Sequence, residues 1–325
     1  MPMLLRAVVF VAVSVLLAAV PARAEEPYPN KPVRIIVPFA PAGPADIVAR
    51  LMAQKLSEEF GKQFYVENHA GAGGNIGAGV AARAPADGYS LMLTSQVTVI
   101  NPHLYKSVPY DPDKDFTPVS GLGFSNQFLV MTASSPLMTV RDVIAAAKAK
   151  PGELQYGTIG LGGSSHINMV LFESMAGIKM TPVHYRGGAP LVTDLLGGHV
   201  SMSFLSGALV DQGIKAGKLR PAAIATKRRL PQYPNVPTVD ESGVPGFEAV
   251  SWYGLWAPAG TPPDVVAKIN ADVQKIFADD DFRVKFLEPN FLGAVTGSPA
   301  EFSAFIKAEA AKWGKLVKEA SIKVE

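Results

Sequence analysis

Val33-Arg34-Ile35-Ile36-Val37-Pro38-Phe39-Ala40-Pro41-Ala42-Gly43-Pro44-Ala45-Asp46 is the stretch that decides the fold. Val33 to Val37 is a short, almost unbroken apolar run, the pattern of a strand buried on both faces. Pro38 ends it, and 39–44 is a Gly/Pro loop. From Ala45 to Phe60 the apolar residues Ile47, Val48, Leu51, Met52 and Leu56 fall at helical spacing, so one face of a helix is expected there. A strand that feeds such a loop and then a helix is the first half of a parallel βαβ unit.

The same grammar continues on either side. Phe64 to Glu67 reads as a strand, followed by a glycine-rich loop, a small-residue helix around Ile76 to Arg83 and a third strand, Tyr89 to Leu93. Later come a helix at Val140–Ala149, a strand at Gln155–Thr158 and a helix at Asn168–Ala176. A strand at Pro182–Tyr185, a helix at Pro190–Leu196 and a strand at Met202–Leu205 follow. Helices at Pro263–Phe277 and Pro299–Ala320 close the chain. Strands separated by helices point to an α/β fold with parallel units rather than a sandwich. The Pro-rich stretches 107–118 and 231–246 read as connections between lobes. There is no internal repeat and no low-complexity tract.

The N-terminus reads as a leader. Arg6 supplies the positive end, Ala7 to Ala19 the apolar run, and Ala22-Arg23-Ala24 the small-x-small pattern, so cleavage is expected before Glu25. The apolar run is short for a bilayer span, which needs about 20 residues. Residues 1–24 hold two Arg and no acid, so their removal from 325 residues leaves 301 and takes the formal charge from +2 to 0. That balance gives no electrostatic case for nucleic acid or an anionic membrane. The chain has no cysteine, which excludes thiol catalysis, cysteine metal sites and disulfide support. A chain of this length can rely on its core, and suffices for two domains.

In open parallel sheets, ligands sit beyond the carboxyl ends of the strands, where loops lead into helix N-termini. Three loops qualify: Phe39 to Asp46, Gly160 to His166, and Gly71 to Gly77. The first offers free backbone N–H groups and the positive end of a helix, which suits a carboxylate. Asp46 reads either as a first-turn acid stabilising its own helix or as a ligand contact. The second loop adds the hydroxyls of Ser164 and Ser165, either of which could instead be an ordinary N-cap. The third is a loose glycine run and a weak match to any dinucleotide fingerprint. No G-x-S-x-G, H-E-x-x-H or phosphate-binding G-x-x-x-x-G-K-[ST] pattern occurs. His69, His103, His166, His184 and His199 show no metal-ligand spacing, and Lys227-Arg228-Arg229 reads as a solvated loop. No metal or cofactor is expected.

From Tyr28 onward the chain resembles the substrate-binding proteins of tripartite tricarboxylate transporters, the Bug or TctC-like family. The likeness is carried by Tyr28-Pro29-Asn30-Lys31-Pro32-Val33-Arg34-Ile35-Ile36-Val37-Pro38-Phe39, the glycine run 71–77 and Pro85-Ala86-Asp87-Gly88-Tyr89. It continues through Asn101-Pro102-His103-Leu104-Tyr105 and Tyr110 to Phe116, then Tyr185-Arg186-Gly187-Gly188-Ala189-Pro190 and Asp194 to Gly198. Pro234 to Thr238, Gly243 to Glu248 and Ala257 to Pro262 complete it.

The resemblance implies a type II periplasmic binding protein fold, in which two α/β lobes close like a flytrap on a ligand in the cleft. The lobes would be 25–125 plus 247–325, and 126–246. It implies no catalysis, and capture of a small carboxylate for a membrane permease by a periplasmic monomer. The ligand contacts it points to are Pro41, Ala42, Gly43 and Asp46 on one lobe and Gly162, Gly163, Ser164, Ser165 and His166 on the other. Ser95 and Ser206 would line the remaining walls. Two departures stand out. Ala42 occupies a place that is often glycine in the family, and Leu205 one that is often acidic. If Leu205 faces the cleft, the pocket favours an aromatic or otherwise apolar carboxylate; the alternative is that Leu205 is core. Aromatic acids, amino-dicarboxylates and citrate-like acids stay open as ligands. Two other functions remain open: an extracytoplasmic sensor subunit, and a hydrolase using Ser165 and His166.

Overall fold

The computed structural model describes residues 27–294 and 297–319. The expected leader at 1–24 and its cleavage point lie outside the described residues. Contacts group the chain into a segment ending at Asn30 and a compact unit beginning at Lys31, and the architecture below is that of the second.

Strand β1 (Val33–Val37) is fully buried except at Arg34, as its apolar run predicts. It lies between β2 (Phe64–Asn68) and β3 (Ser90–Ser95) and runs parallel to both. The helix between β1 and β2 spans Pro44–Phe60. Pro44 sits in its first turn, where a missing N–H is harmless, and Gly61 ends it in the left-handed region at φ 63°. Helix Asn75–Ala82 joins β2 to β3. Its small residues permit close packing: a β-carbon at Gly77 would fall 2.6 Å from Pro38 Cα.

Helix Val97–Leu104 and strand β4 (Phe116–Ser125) follow, and the chain crosses at once into β5 (Gln127–Thr132). A second α/β set then runs through helix Val140–Ala149, β6 (Gln155–Thr158), helix Ser164–Ala176 and β7 (Thr181–His184). Helix Gly188–Gly197, β8 (Met202–Ser206), helix Gly207–Lys215 and β9 (Leu219–Ile224) complete it. The chain returns as β10 (Ser251–Pro258), helix Pro263–Ala278, β11 (Leu292–Gly293) and helix Pro299–Glu319. The first sheet has the order β11-β4-β10-β3-β1-β2. The second set holds β8-β5-β9 and the pair β6-β7, and Ser203 Oγ on β8 donates to Gly157 O on β6 at 2.8 Å.

Parallel units account for β1–β3 and for β6 with β7, but not for the rest. β10 runs antiparallel to both β3 and β4, and β5 is antiparallel to both β8 and β9. The stretch 107–118, read as a connection, in fact ends inside β4. Pro118 is accommodated because the β4–β10 register shifts between Leu255 and Trp256, and a proline is tolerated at such irregularities. Helix Pro299–Glu319 lies against the first sheet over Gly254, where a β-carbon would strike the Phe302 ring at 2.1 Å. The indoles of Trp252 and Trp313 both donate to Glu309 Oε2, at 3.0 and 2.9 Å, so their burial leaves no N–H unpaired. Full burial of side chains this large contributes on the order of 2–3 kcal/mol each.

Candidate functional site

Two of the three loops are built on one plan. Helix Pro44–Phe60 is capped by Gly43 and helix Ser164–Ala176 by Gly163, both in extended conformation and neither with a side-chain cap. Ile47 N–H donates to Gly43 O and Ile167 N–H to Gly163 O, each at 3.0 Å. The residue before each cap is left-handed, Ala42 at φ 61° and Gly162 at φ 72°. The third residue after each cap reaches back to that residue: Asp46 Oδ2 accepts from Ala42 N–H at 2.9 Å, and His166 Nδ1 from Gly162 N–H at 3.1 Å. With no side chain closing the helix starts, first-turn N–H groups remain to meet an anion.

The first plan uses a charge. Asp46 is buried, with 2% of its surface exposed, and also accepts from Arg50 Nε at 2.8 Å and Asn68 Nδ2 at 2.9 Å. Burial pushes its carboxyl up, but the bonds from Arg50, Asn68 and Ala42 outweigh that and hold it below the ordinary value. Asn68 Nδ2 also donates to Phe39 O at 3.0 Å. The Asp46 carboxylate thus ties loop 39–44, helix Pro44–Phe60 and β2 together through Ala42, Arg50 and Asn68. Arg50 lies one helical turn along and was legible by that spacing.

The second plan is neutral. His166 is buried, its ring edge-on to His184 at 5.1 Å between centroids. Burial first, and the His184 ring second, push it down to about 4, so at neutral pH the imidazole is uncharged and Nδ1 is free to accept. Ser165 is also buried, and its hydroxyl accepts from Ile159 N–H at 2.6 Å. Each side chain is turned to its own loop: Ser165 serves Ile159 and His166 serves Gly162. Both, with Ser164, belong to the first helical turn and not to a loop; the helix begins four residues before the expected Asn168, and the N-cap is Gly163 rather than a serine.

The glycine turn lies against the other two loops in space. A β-carbon at Gly74 would touch the Phe39 ring at 3.4 Å, and one at Gly73 would meet Tyr105 Oη at 2.6 Å and Leu161 O at 3.3 Å. The glycine turn at 71–74 therefore lies between loop 39–44 and loop 160–163. Pro41 and Ala42 are exposed, and Gly43, Gly163 and Ser164 partly so. Ser95 and Ser206 are buried at strand ends, Ser206 with its hydroxyl unpartnered. Leu205 is core: it packs in a cluster with Phe128, Leu191, Leu195, Val210 and Phe291. The hint toward an apolar ligand that depended on it has no support. Sequence reading missed Asn101 and Tyr105 as site residues, although both stand in a segment that carries the family resemblance; Asn75 lies within the glycine run already singled out.

A separate groove of about 570 Å³ runs along the crossing segments, with Phe124, Asn126, Arg228, Val250, Trp252 and Phe305 on its walls. Three cations on its walls are paired: Lys227 with Glu248, Arg229 with Glu241 and Lys312 with Glu309. None of the residues of the three loops lines it. Among the described residues no cluster of side chains could hold a metal ion, and no helix is long and apolar enough to cross a membrane.

Comparison with known proteins gives a consistent picture. Residues 48–322 match the family described as the tripartite tricarboxylate transporter family receptor, TctC. Protein BugT of Bordetella pertussis (strain Tohama I) is 33% identical over 319 residues, covering 98% of this chain and 97% of BugT. The structure of R. palustris Rpa4515 with adipate superposes with a TM-score of 0.86 at 37% identity, over 91% of this chain and 99% of that one. MatC (Rpa3494) from Rhodopseudomonas palustris with bound malate gives 0.83 at 30% identity, over 89% and 100%.

Proposed function

The chain belongs to the tripartite tricarboxylate transporter receptor family, has that family's periplasmic-binding-protein fold and is a solute-binding protein, not an enzyme. From that premise we propose that it is exported to the periplasm, where it captures a small dicarboxylate between two lobes, 25–125 plus 247–325 and 126–246. The closed form then presents the acid to a tripartite tricarboxylate-type permease. The observation that carries this reading is the paired helix start: Gly43 and Gly163 each open a helix without a side-chain cap, on the two sets of strands. One carboxylate group bridging both N-termini would favour the closed state, because it gains its full set of N–H donors only there.

The contacts are expected from Pro41, Ala42, Gly43, Gly162, Gly163 and Ser164, with Asp46, Ser165 and His166 shaping the loops from behind. Ser95 and Ser206 would line the deeper wall toward the distal end of the ligand. A dicarboxylate is favoured because relatives of this fold are described with adipate and with malate.

The test is a thermal-shift series on the mature protein with adipate, malate and their amidated forms, followed by calorimetry. A ligand that binds only the native state adds about 2.7 kcal/mol of stability at a hundredfold excess over its dissociation constant. A shift with a diacid, lost on amidation, supports the reading; no shift with any of them counts against it.

A further inference from the structure

Asn101-Pro102-His103-Leu104-Tyr105 takes no part in the capture described so far, yet it organises the glycine turn. Asn101 is fully buried, and its Nδ2 donates to Gly73 O at 2.9 Å and to Asn75 Oδ1 at 2.8 Å. Tyr110 Oη donates to the same Asn75 oxygen at 3.1 Å. The end of helix Val97–Leu104 thereby fixes the turn at 71–75. Tyr105, the next residue, reaches the loop that belongs to the other strand set: its Oη lies 3.4 Å from Leu161 O.

That separation is long for an O–H···O bond, so packing of the ring must carry more of the contact than the hydroxyl. Two glycines border the ring. A β-carbon at Gly73 would fall 2.6 Å from Tyr105 Oη, and one at Gly162 would lie 3.5 Å from its Cε2 and 3.5 Å from Leu104 Cδ1. Gly73 and Gly162 thus leave a slot that the tyrosine occupies. Burial pushes the phenol up from its ordinary value, so the ring in the slot is neutral and protonated.

We propose that Tyr105 is the positioning residue of closure, a latch whose ring bridges the turn at 71–74 and the loop at 160–163 and so sets how long a captured acid is held. The inference rests on lobe closure as the mode of capture. Removing the ring leaves both helix starts intact but lowers the closed population. Affinity then falls through faster release, with capture little changed.

The absence of cysteine in the chain makes the experiment direct. Exposed Lys62 and Lys148 are replaced in K62C/K148C and carry spin labels, and the distance between them is measured with no addition, with adipate and with malate. Stopped-flow gives release rates. Tyr105→Ala is expected to lose the short-distance population and to release a bound diacid roughly tenfold faster, the scale of one well-packed contact. Tyr105→Phe is expected to stay within about twofold of the parent, because the hydroxyl bond is long. If Tyr105→Ala does not fold, Tyr105→Leu, which keeps bulk but not reach, is read in its place.

Unchanged distances and release rates in these variants would overturn the latch. So would a parent protein that never populates the short distance, or a Tyr105→Phe that behaves like Tyr105→Ala. If neither acid binds the parent but Tyr105→Ala still shifts its distances, the latch stands and the dicarboxylate reading falls.

Discussion

Asp46 and His166 do the same work in two unconnected helices: each is the third residue after a glycine cap and accepts from the backbone N–H four residues earlier. One is a carboxylate held ionised by Arg50 and Asn68, the other an imidazole held neutral by burial. The same left-handed turn is therefore stabilised by opposite protonation chemistry on the two sides, and the two sides should respond differently to pH and to substitution.

Acid should loosen the His166 side first. Its folded pKa, about 4, lies below the ordinary 6.5, so the unfolded chain binds the proton more readily between those values. Stability is complete above pH 6.5 and falls as pH drops toward 4, by up to about 1.4 kcal/mol per pH unit. His184, also pushed down by burial, adds to the same trend. Asp46 acts in a lower window: its carboxyl is held down, so its contribution is lost only below the ordinary carboxylate range. Denaturant unfolding from pH 7 to pH 4 should show a shallower pH slope in His166→Gln, which can still accept from Gly162.

Asp46→Asn keeps one acceptor but removes the charge that Arg50 answers. A loss of about 1–3 kcal/mol in unfolding free energy is expected, with weaker diacid binding as loop 39–44 loses its shape. Normal binding together with normal stability would show that the loop does not depend on this carboxylate.

Ser164 is the partly exposed hydroxyl of the second helix start. Ser164→Ala should weaken a bound carboxylate about tenfold, the usual loss for one hydrogen bond to a charged group, and leave the melting temperature unchanged. Ser165→Ala should do the reverse, since its hydroxyl is spent on Ile159 N–H: stability falls and affinity follows only indirectly. Calorimetry and melting curves on the pair decide.

Leu205→Asp puts an unpaired charge into a sealed apolar cluster. A loss beyond about 3 kcal/mol, or failure to fold, is expected. A folded variant with altered ligand preference would instead place position 205 in the cleft.

Gly254→Ala should cost about 1–3 kcal/mol, because helix Pro299–Glu319 must move away from a β-carbon 2.1 Å from the Phe302 ring. A melting temperature equal to the parent's would mean that the helix packs more loosely than its contacts indicate.

The α/β class and the strand–loop–helix order after β1 and after β6 were written in the sequence, because local rules suffice for them. An apolar run between turn residues makes a buried strand, and apolar residues at helical spacing make an amphipathic helix. Even there the second helix began earlier than expected, since Ser164, Ser165 and His166 show no apolar period. Strand β4 was hidden because Pro118 and its glycines deny it a strand pattern, and only its pairing with β10 makes it one. Tertiary structure alone decided that Asp46 and His166 face their own loops, that Leu205 is core, and that Tyr105 meets Leu161. Each of these depends on a partner far along the chain, or on which way a side chain turns once its helix is packed. Periodicity along a sequence records which residues are buried; it does not record against what.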